Sequence, residues 1–525
     1  MDFLRRPPSP RLPALALALI ATLYLLSGIV GHDPWKTEDA IHIGIAHSFA
    51  THGHWLFPLV AGEAWPHTAP LYHWVAALLG KLLGSLLPFH DAARLATPAF
   101  GAIYLFTLAR AARAILGDTA GQIAPLLAIG TLGLMLPFHD AQPAVAGMAC
   151  ATIAYWGAGL VLQEQRWGAL LLGAGLGLAF PAHGLVGLIM ASAALTAPLL
   201  RRKWKTMLLS LTIALPLAAA WPIALNLRAP HLWASWWNNE WAEATMARGL
   251  PEIRHLEQVA WALWPILPLA LWALWLHRRQ SLTLTVPLLG TLIGLLWYLS
   301  GSSRLLALLP LITPLVLLAA SGADKLRRGA MNAFAWFGAM TFSIIAALIW
   351  LGASAQALDW PPRVARNFDK LAPGHEATYS AFVLLYAVAI SLAWLALWRL
   401  PKAPWRASLF WAAGTTLLWS LTASLWFSWI DHAKSYRSVV AEFAQRIPAD
   451  SGCIERSNFG SAQRASLDYF AGIRTVAATQ KKQCLWRLTI DDRDYATPMG
   501  WTLVWQGNRP SDRKEKWFLE RRIEP

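Results

Sequence analysis

Apolar runs long enough, or nearly long enough, to cross a bilayer recur along this chain and constrain its fold more than any other feature. They fall near 12–30, 92–113, 121–137, 143–162, 168–181, 184–200, 205–226, 258–276, 282–299, 304–320, 332–353, 378–398 and 407–429. A helix rising 1.5 Å per residue needs about 20 apolar residues to cross a hydrocarbon core of about 30 Å. The runs therefore predict a mainly α, polytopic membrane protein with about 13 transmembrane helices. A chain of 525 residues that is 56% hydrophobic and 14% charged is not expected to form a water-soluble globule of that size.

The net charge of +15 raises the question of a nucleic-acid partner. The basic residues lie instead in short clusters between apolar runs: Arg5 and Arg6, Arg110 and Arg113, Arg201 to Lys205, Arg278 and Arg279, Lys325 to Arg328, and Arg399 to Arg406. Cytoplasmic loops of membrane proteins carry this pattern, and no nucleic acid is needed to explain it. One further apolar run, Pro70 to Leu87, contains Tyr72, His73 and Lys81. Counting it as a span would put the Arg110 cluster outside, whereas an interfacial helix leaves every basic cluster in the cytoplasm. The expected location is the bacterial inner membrane, with a cytoplasmic N-terminus and a periplasmic C-terminal region. Leu12 to Val30 is read as a retained first span, because an acidic, aromatic segment follows it and no small-residue cleavage site does.

Two domains follow from this reading. Residues 1–430 form the transmembrane domain, with a first periplasmic loop at 31–91, and residues 431–525 form a small α+β periplasmic domain. In the tail, helical spacing runs from Lys434 to Arg446 and from Ser461 to Phe470, and strand-like segments cover Trp501 to Trp505 and Trp517 to Leu519. Cys453 and Cys484 both lie there, where an oxidising compartment permits either a disulfide or two free thiols; Cys150 lies in an apolar run.

The most informative stretch is the first loop, which opens with the adjacent acids Glu38 and Asp39 and carries His42, His47, His52, His54, His67 and His73. Acids at a helix start stabilise the unpaired N–H groups and the positive end of the dipole. They are equally suited to take a proton from an acceptor hydroxyl or amine. The histidines are dense enough to suggest a metal, but His42 and His47 are five apart and His52 and His54 flank a turn. Neither pair has the i, i+4 spacing that zinc on a helix prefers, so no metal and no cofactor are expected.

The acid pair, Gly53-His54-Trp55, Pro58 and Pro70-Leu71-Tyr72-His73-Trp74 together resemble the first periplasmic loop of GT-C glycosyltransferases of family 39, the aminoarabinose transferase and protein O-mannosyltransferase group. That loop carries an acidic pair, a Gly-Asp-Trp turn and a Lys-Pro-Pro-Leu segment. Further likenesses follow in order: Asp140 to the second acidic site, Phe180 to Gly184 to a Leu-Thr-Lys-Gly turn, Asn239-Glu240 to an Asn-Glu-His motif, and Ser302-Ser303-Arg304 with Leu309-Pro310 to a basic residue before a Leu-Leu-Pro helix. The resemblance covers most of the chain.

What the resemblance implies is inverting, metal-independent transfer of a sugar from a polyprenyl-phosphate donor to an acceptor at the periplasmic face. A glycan, a protein or a lipid such as lipid A would be the acceptor. Glu38 is the base by this resemblance, Asp39 its partner, and Asp140 a third catalytic acid. His42, His67, His183, Glu240 and Arg304 are assigned to substrate binding, with Arg304 facing the phosphate. The chain departs from the pattern at several cations: His67-Thr68 replaces the family's Lys, His183 another Lys, Ile41-His42 an Arg-Tyr pair, and Trp241 a His. An imidazole is fully charged only below about pH 6.5, so the phosphate clamp is expected to be weaker or pH-dependent. Alternative readings are a lipid or glycan transporter or flippase, and a catalytically degenerate homologue. Transporters place ionisable groups at the midplane and often show repeated halves, neither of which is visible here.

Overall fold

The structure, a computed structural model, describes residues 12 and 14–523 apart from 246–252, 279–283, 301–304, 401–402, 449, 479–483, 493–494 and 513. It is a mainly helical membrane fold carrying a small C-terminal sheet. In hydrocarbon every backbone N–H and C=O must be satisfied within its own segment, which is why the apolar runs become helices. The first part of the chain runs through α1 (Ala14–Leu26), α2 (Glu38–His52), α3 (Leu71–Leu83), α4 (Phe89–Arg94), α5 (Ala96–Leu116), α6 (Asp118–Ile129), α7 (Pro143–Leu162) and α8 (Gly168–Ser192). Between α2 and α3 lies a short antiparallel pair, β1 (Leu59–Val60) and β2 (Glu63–Ala64).

Among the described residues, six helical stretches are long and apolar enough to cross a bilayer: Phe89–Leu116, Pro143–Leu162, Gly168–Leu200, Trp204–Arg228, Leu306–Lys325 and Arg328–Leu358. Five shorter apolar helices accompany them: Ala14–Leu26, Leu71–Leu83, Ile266–Leu276, Thr285–Leu299 and Ala381–Leu397. Several expected runs are made of two pieces rather than one. The run near 121–137 stops at Ile129 and resumes as the single 3-10 turn Leu132–Leu134. The run near 258–276 is split between Ile253–Ala262 and Ile266–Leu276, with Pro265 at the join, since proline cannot donate the next helical hydrogen bond.

One long stretch is two antiparallel helices. Within α8, His183 and Gly184 leave helical geometry, with Gly184 at φ +57°. Beyond them Gly187 comes back against the carbonyl of Ala179, which a Cβ on Gly187 would meet at 2.0 Å. Residues eight apart on a continuous helix would be separated by about 12 Å, so the chain reverses here. This places the turn where the sequence puts a two-residue loop between 168–181 and 184–200. Small residues let the neighbours close in: a Cβ at Gly157 would lie 2.2 Å from the Leu172 nitrogen, and one at Gly175 would lie 2.4 Å from that of Ala154.

With 13 residues, α3 extends about 20 Å, too short to cross a core of about 30 Å unaided. Its Leu78 and Leu82 are exposed while Tyr72, His73, Ala76 and Ala77 are buried, the amphipathicity of a helix with one face against protein.

The C-terminal region is built from helices Arg437–Arg446 and Ser461–Ala471 and five strands: β3 (Ile454–Ser457), β4 (Val476–Ala477), β5 (Trp486–Asp491), β6 (Trp501–Asn508) and β7 (Lys516–Arg522). The sheet order is β4-β3-β5-β7-β6. β3 runs parallel to β4 and β5, while β7 pairs antiparallel with β5 and β6. Tyr436, Val439, Val440, Phe443, Leu467, Leu488, Trp517 and Leu519 fill its core, and Cys453 and Cys484 form a disulfide. Both expected helices and both expected strands are present, the strands longer than their aromatic cores suggest.

This region packs on the segment between α1 and α5. Gly44 of α2 meets Ala465, where a Cβ would approach to 2.9 Å. Glu63 accepts from Arg456 at 2.8 Å and Arg464 at 2.5 Å, Lys36 pairs with Glu515 at 2.7 Å, and Arg437 grips Asp33.

Candidate active site

Helix α2 begins at the acid pair because two carboxylates in the first turn complement its exposed N–H groups, and it ends at Gly53, whose φ of +70° is the left-handed conformation that terminates helices. Successive residues on a helix point about 100° apart, so the two acids face different surroundings. Asp39 is buried, whereas the Glu38 side chain is 43% exposed.

The Asp39 carboxylate is fully engaged. Arg94, completely buried at the end of α4, donates from Nε to Oδ1 at 3.1 Å and from Nη2 to Oδ2 at 2.8 Å. The backbone N–H of Ala141 donates to Oδ1 at 2.9 Å and that of Trp35 to Oδ2 at 3.3 Å. Arg94 also donates to Asp91 at 3.0 Å and to the Ile29 carbonyl at 2.9 Å. Burial alone would raise the pKa of the Asp39 carboxyl. The charge and hydrogen bonds of Arg94, with the Ala141 N–H, outweigh it and hold the group below its ordinary value. Asp39 thus ties α2, α4 and the 138–142 turn into one frame.

Asp140 lies in that turn, its own carbonyl accepting from Thr97 at 2.7 Å. Burial first, then the negative charge of Asp39 and, more weakly, of Glu38, push its carboxyl up to about 7, against the opposing pull of Arg94. Three acids therefore occupy one neighbourhood in three settings: Asp39 held low by Arg94, Asp140 pushed up by burial, and Glu38 partly in solvent.

Behind Glu38 stands a chain of imidazoles. His42, one turn along α2, places Nε2 at 3.2 Å from Glu38 Oε2 and Nδ1 at 3.0 Å from Nε2 of His73 on α3. The remaining nitrogen of His73, Nδ1, lies 3.3 Å from the Ala69 carbonyl. His73 is fully buried, and that burial, with the neighbouring His42, lowers its pKa well below the ordinary value.

The other expected site residues form a second group. His67 is exposed beside Trp65, with ring centroids 4.5 Å apart. The helix Pro230–Thr245 ties itself to the same segment: Trp236 donates to the Thr68 carbonyl at 3.1 Å and Asn239 to the Pro66 carbonyl at 2.9 Å. Glu240 accepts the N–H of Leu185 at 3.0 Å, the start of the returning half of α8, and so caps that helix. A Cβ on Gly184 would lie 2.3 Å from the Glu240 carboxylate, so the turn that holds His183 accommodates only glycine there. His183 sits at the turn, against Gly147 of α7. Arg304 lies outside the described residues.

Sequence reading missed Arg94 and His73 as site residues. Arg94 had a signal, since a guanidinium near the start of the expected span 92–113, at the opposite end from Arg110 and Arg113, is an ionisable group in an apolar run and asks for a partner. His73 had none beyond its place in an ambiguous run, because its partner His42 is 31 residues away. Among the described residues no three His, Cys, Asp or Glu side chains are grouped as metal ligands would be.

A family model described as dolichyl-phosphate-mannose-protein mannosyltransferase matches residues 67–225. No curated protein sequence matches. Among solved structures, the chain is similar to ArnT from Cupriavidus metallidurans bound to undecaprenyl phosphate, with a TM-score of 0.71 and 14% identity over 96% of this chain and 97% of that one. The same protein in the apo state gives a TM-score of 0.68 and 16% identity over 96% of each chain. The apo oligosaccharyltransferase from Archaeoglobus fulgidus gives a TM-score of 0.51 and 10% identity, covering 89% of this chain and 64% of that one. At these identities the likeness is one of architecture, and over nearly its whole length the chain has the GT-C membrane fold that ArnT has.

Proposed function

We propose that this protein is a glycosyltransferase that moves a sugar from a polyprenyl-phosphate donor to an acceptor at the periplasmic face of a bacterial inner membrane, with inversion and with Glu38 as the base. The observation that carries the reading is the division of the acid pair. Asp39 is committed to Arg94, Ala141 and Trp35, while Glu38 beside it is open to solvent and backed by His42. A base must reach its substrate, and a buried, four-fold bonded carboxylate cannot. The fold shared with an ArnT that binds undecaprenyl phosphate supports the donor class.

In the proposed reaction the acceptor O–H or N–H gives its proton to Glu38 as its lone pair bonds to the anomeric carbon. The bond from that carbon to the phosphate oxygen breaks on the opposite face, and the electron pair leaves with the lipid phosphate. Arg304, His67 and His183 are assigned to the departing anion, whose charge must be stabilised where water is scarce. Asp140, its carboxyl pushed up to about 7, is assigned to line the cleft. Metal-independence is supported by the acid pair itself, since Asp39 has no oxygen left to share a cation with Glu38. Apart from Arg94 and Arg304, at the starts of the expected spans 92–113 and 304–320, the residues named here lie on the segments at 31–91, 138–142 and 182–183, which the positive-inside pattern assigns to one, non-cytoplasmic face.

The test compares envelope lipids and glycoproteins by mass spectrometry in cells with the wild-type protein, with Glu38→Gln and without the protein. A sugar modification present only with the wild type is expected. Full modification with Glu38→Gln would remove Glu38 as the base, and identical profiles in all three would remove glycosyl transfer itself.

A further inference from the structure

The row Glu38, His42, His73, Ala69 contains three contacts of hydrogen-bond length, at 3.2, 3.0 and 3.3 Å, and both of its ends are acceptors when Glu38 is ionised. Three contacts need three hydrogens. Two neutral imidazoles supply two. The Ala69 carbonyl cannot donate, so it takes the hydrogen of His73 Nδ1, which leaves His73 Nε2 as a lone pair. That lone pair takes the hydrogen of His42 Nδ1. His42 Nε2 is then a bare lone pair directed at the Glu38 carboxylate, and the row lacks one proton at that position.

We propose that His42 and His73 are positioning residues that make Glu38 and His42 act as one base: the proton Glu38 takes from the acceptor passes to His42 Nε2, and the Ala69 carbonyl, through His73, fixes the tautomer that leaves this nitrogen free to receive it. The inference builds on the reading of Glu38 as the base. The step balances: the carboxylic O–H bond breaks as the N–H bond forms, and the product is a carboxylate beside an imidazolium with all three contacts filled. The benefit is basicity, since an imidazole is a stronger base than a carboxylate. His73 cannot pass the proton onward because a backbone carbonyl lies behind it, so the proton leaves by way of the partly exposed Glu38 once the product has gone.

Among the described residues, most charged groups on the surrounding elements are paired with one another. Facing His42 are Glu38 on its own helix and His73 on α3. Asp140, from the 138–142 turn, feels the charge of Glu38. From α4, Arg94 is turned to both Asp39 and Asp91. From the tail helix Ser461–Ala471, Arg464 is paired to Glu63 and Asp468 to Arg474. From β2, Glu63 is held by Arg456 and Arg464.

The experiment has one arm without substrate and one with it. In lipid nanodiscs, infrared difference spectra across pH 4–8 follow the full-length protein with isotope-labelled histidine. Proton uptake is expected as an imidazolium band that disappears in His42→Gln. In proteoliposomes containing a total lipid extract of the source cells, the acid limb of the transfer rate should move to lower pH in His42→Gln than in the wild type, with a rate loss of about tenfold. His73→Phe, which frees the His42 tautomer, should shift the limb in the same direction and serves if His42→Gln does not fold. An unmoved limb in a folded variant, or uptake seen as a carboxylic acid band that persists in His42→Gln, would overturn the relay. Undiminished transfer by Glu38→Gln would instead overturn the base assignment on which it builds.

Discussion

Replacing Arg94 with methionine should unfold this protein more readily than any other single change in the candidate site. The guanidinium is completely buried and donates two hydrogen bonds to Asp39, one to Asp91 and one to the Ile29 carbonyl. Methionine fills much of the volume but leaves two buried carboxylates with one cation fewer between them. Asp39 would keep the N–H groups of Ala141 and Trp35, and Asp91 that of Gly31 at 3.0 Å. Breaking a buried ion pair from one side costs about 3–5 kcal/mol, chiefly because the orphaned charge stays in a poorly solvated place. Both acids share this one cation, so the figure is applied once. Adding Asp39→Asn removes the stranded charge and should recover about 2 kcal/mol, a coupling that a double-mutant cycle isolates. The assay is unfolding by dodecyl sulfate in mixed micelles, followed by tryptophan fluorescence, for the wild type, both single variants and the double variant. Because the folded Asp39 pKa lies below the unfolded one, its contribution is present above the ordinary carboxylate range and disappears as pH falls through the lower, folded value. The penalty for Arg94→Met should shrink accordingly in acid. A cost under about 1 kcal/mol at neutral pH, or strictly additive single variants, would refute Asp39–Arg94 as the frame of the site.

Asp140 should produce the opposite pH dependence. Its folded pKa of about 7 lies above the ordinary carboxylate value, so stability should fall as pH rises from about 4 to about 7 and level off above; Asp140→Asn should flatten that slope, and parallel melting curves would refute the assignment. Replacing both Cys453 and Cys484 by serine opens a cross-link across 31 residues and should cost the C-terminal sheet about 3–4 kcal/mol by chain entropy, read as earlier loss of its near-ultraviolet signal on heating; an unchanged transition would refute it. Glu38→Gln should leave the dodecyl sulfate transition within about 0.5 kcal/mol of wild type, since its side chain is 43% exposed and the substitution keeps its size. A larger loss would mean that Glu38 is part of the frame rather than the reagent.

Membrane embedding, the position of most helices, the turn at His183-Gly184, and two helices and two of the five strands of the tail were legible from residue type alone. Each depends on local periodicity or on the cost of an unsatisfied backbone in hydrocarbon, and both are properties of short stretches. The broken runs were less legible, because a Gly or Pro inside an apolar run interrupts the helix without changing the hydropathy that marks it. Glu240, besides the substrate role expected of it, caps the returning half of α8 in the structure. That contact spans 55 residues and has no local signature.

The acid pair shows where the two sources of information divide. By itself the sequence determined that two carboxylates open a helix just after an apolar run, and a helix turns adjacent residues to different faces whatever surrounds it. It could not say which face is dry. Tertiary structure decided that by bringing Arg94 from 55 residues away onto Asp39 and His73 from 31 residues away onto His42. The physical reason is that charge and proton affinity depend on burial and on partners within a few ångströms, and in a folded chain those partners are set by packing rather than by distance along the sequence.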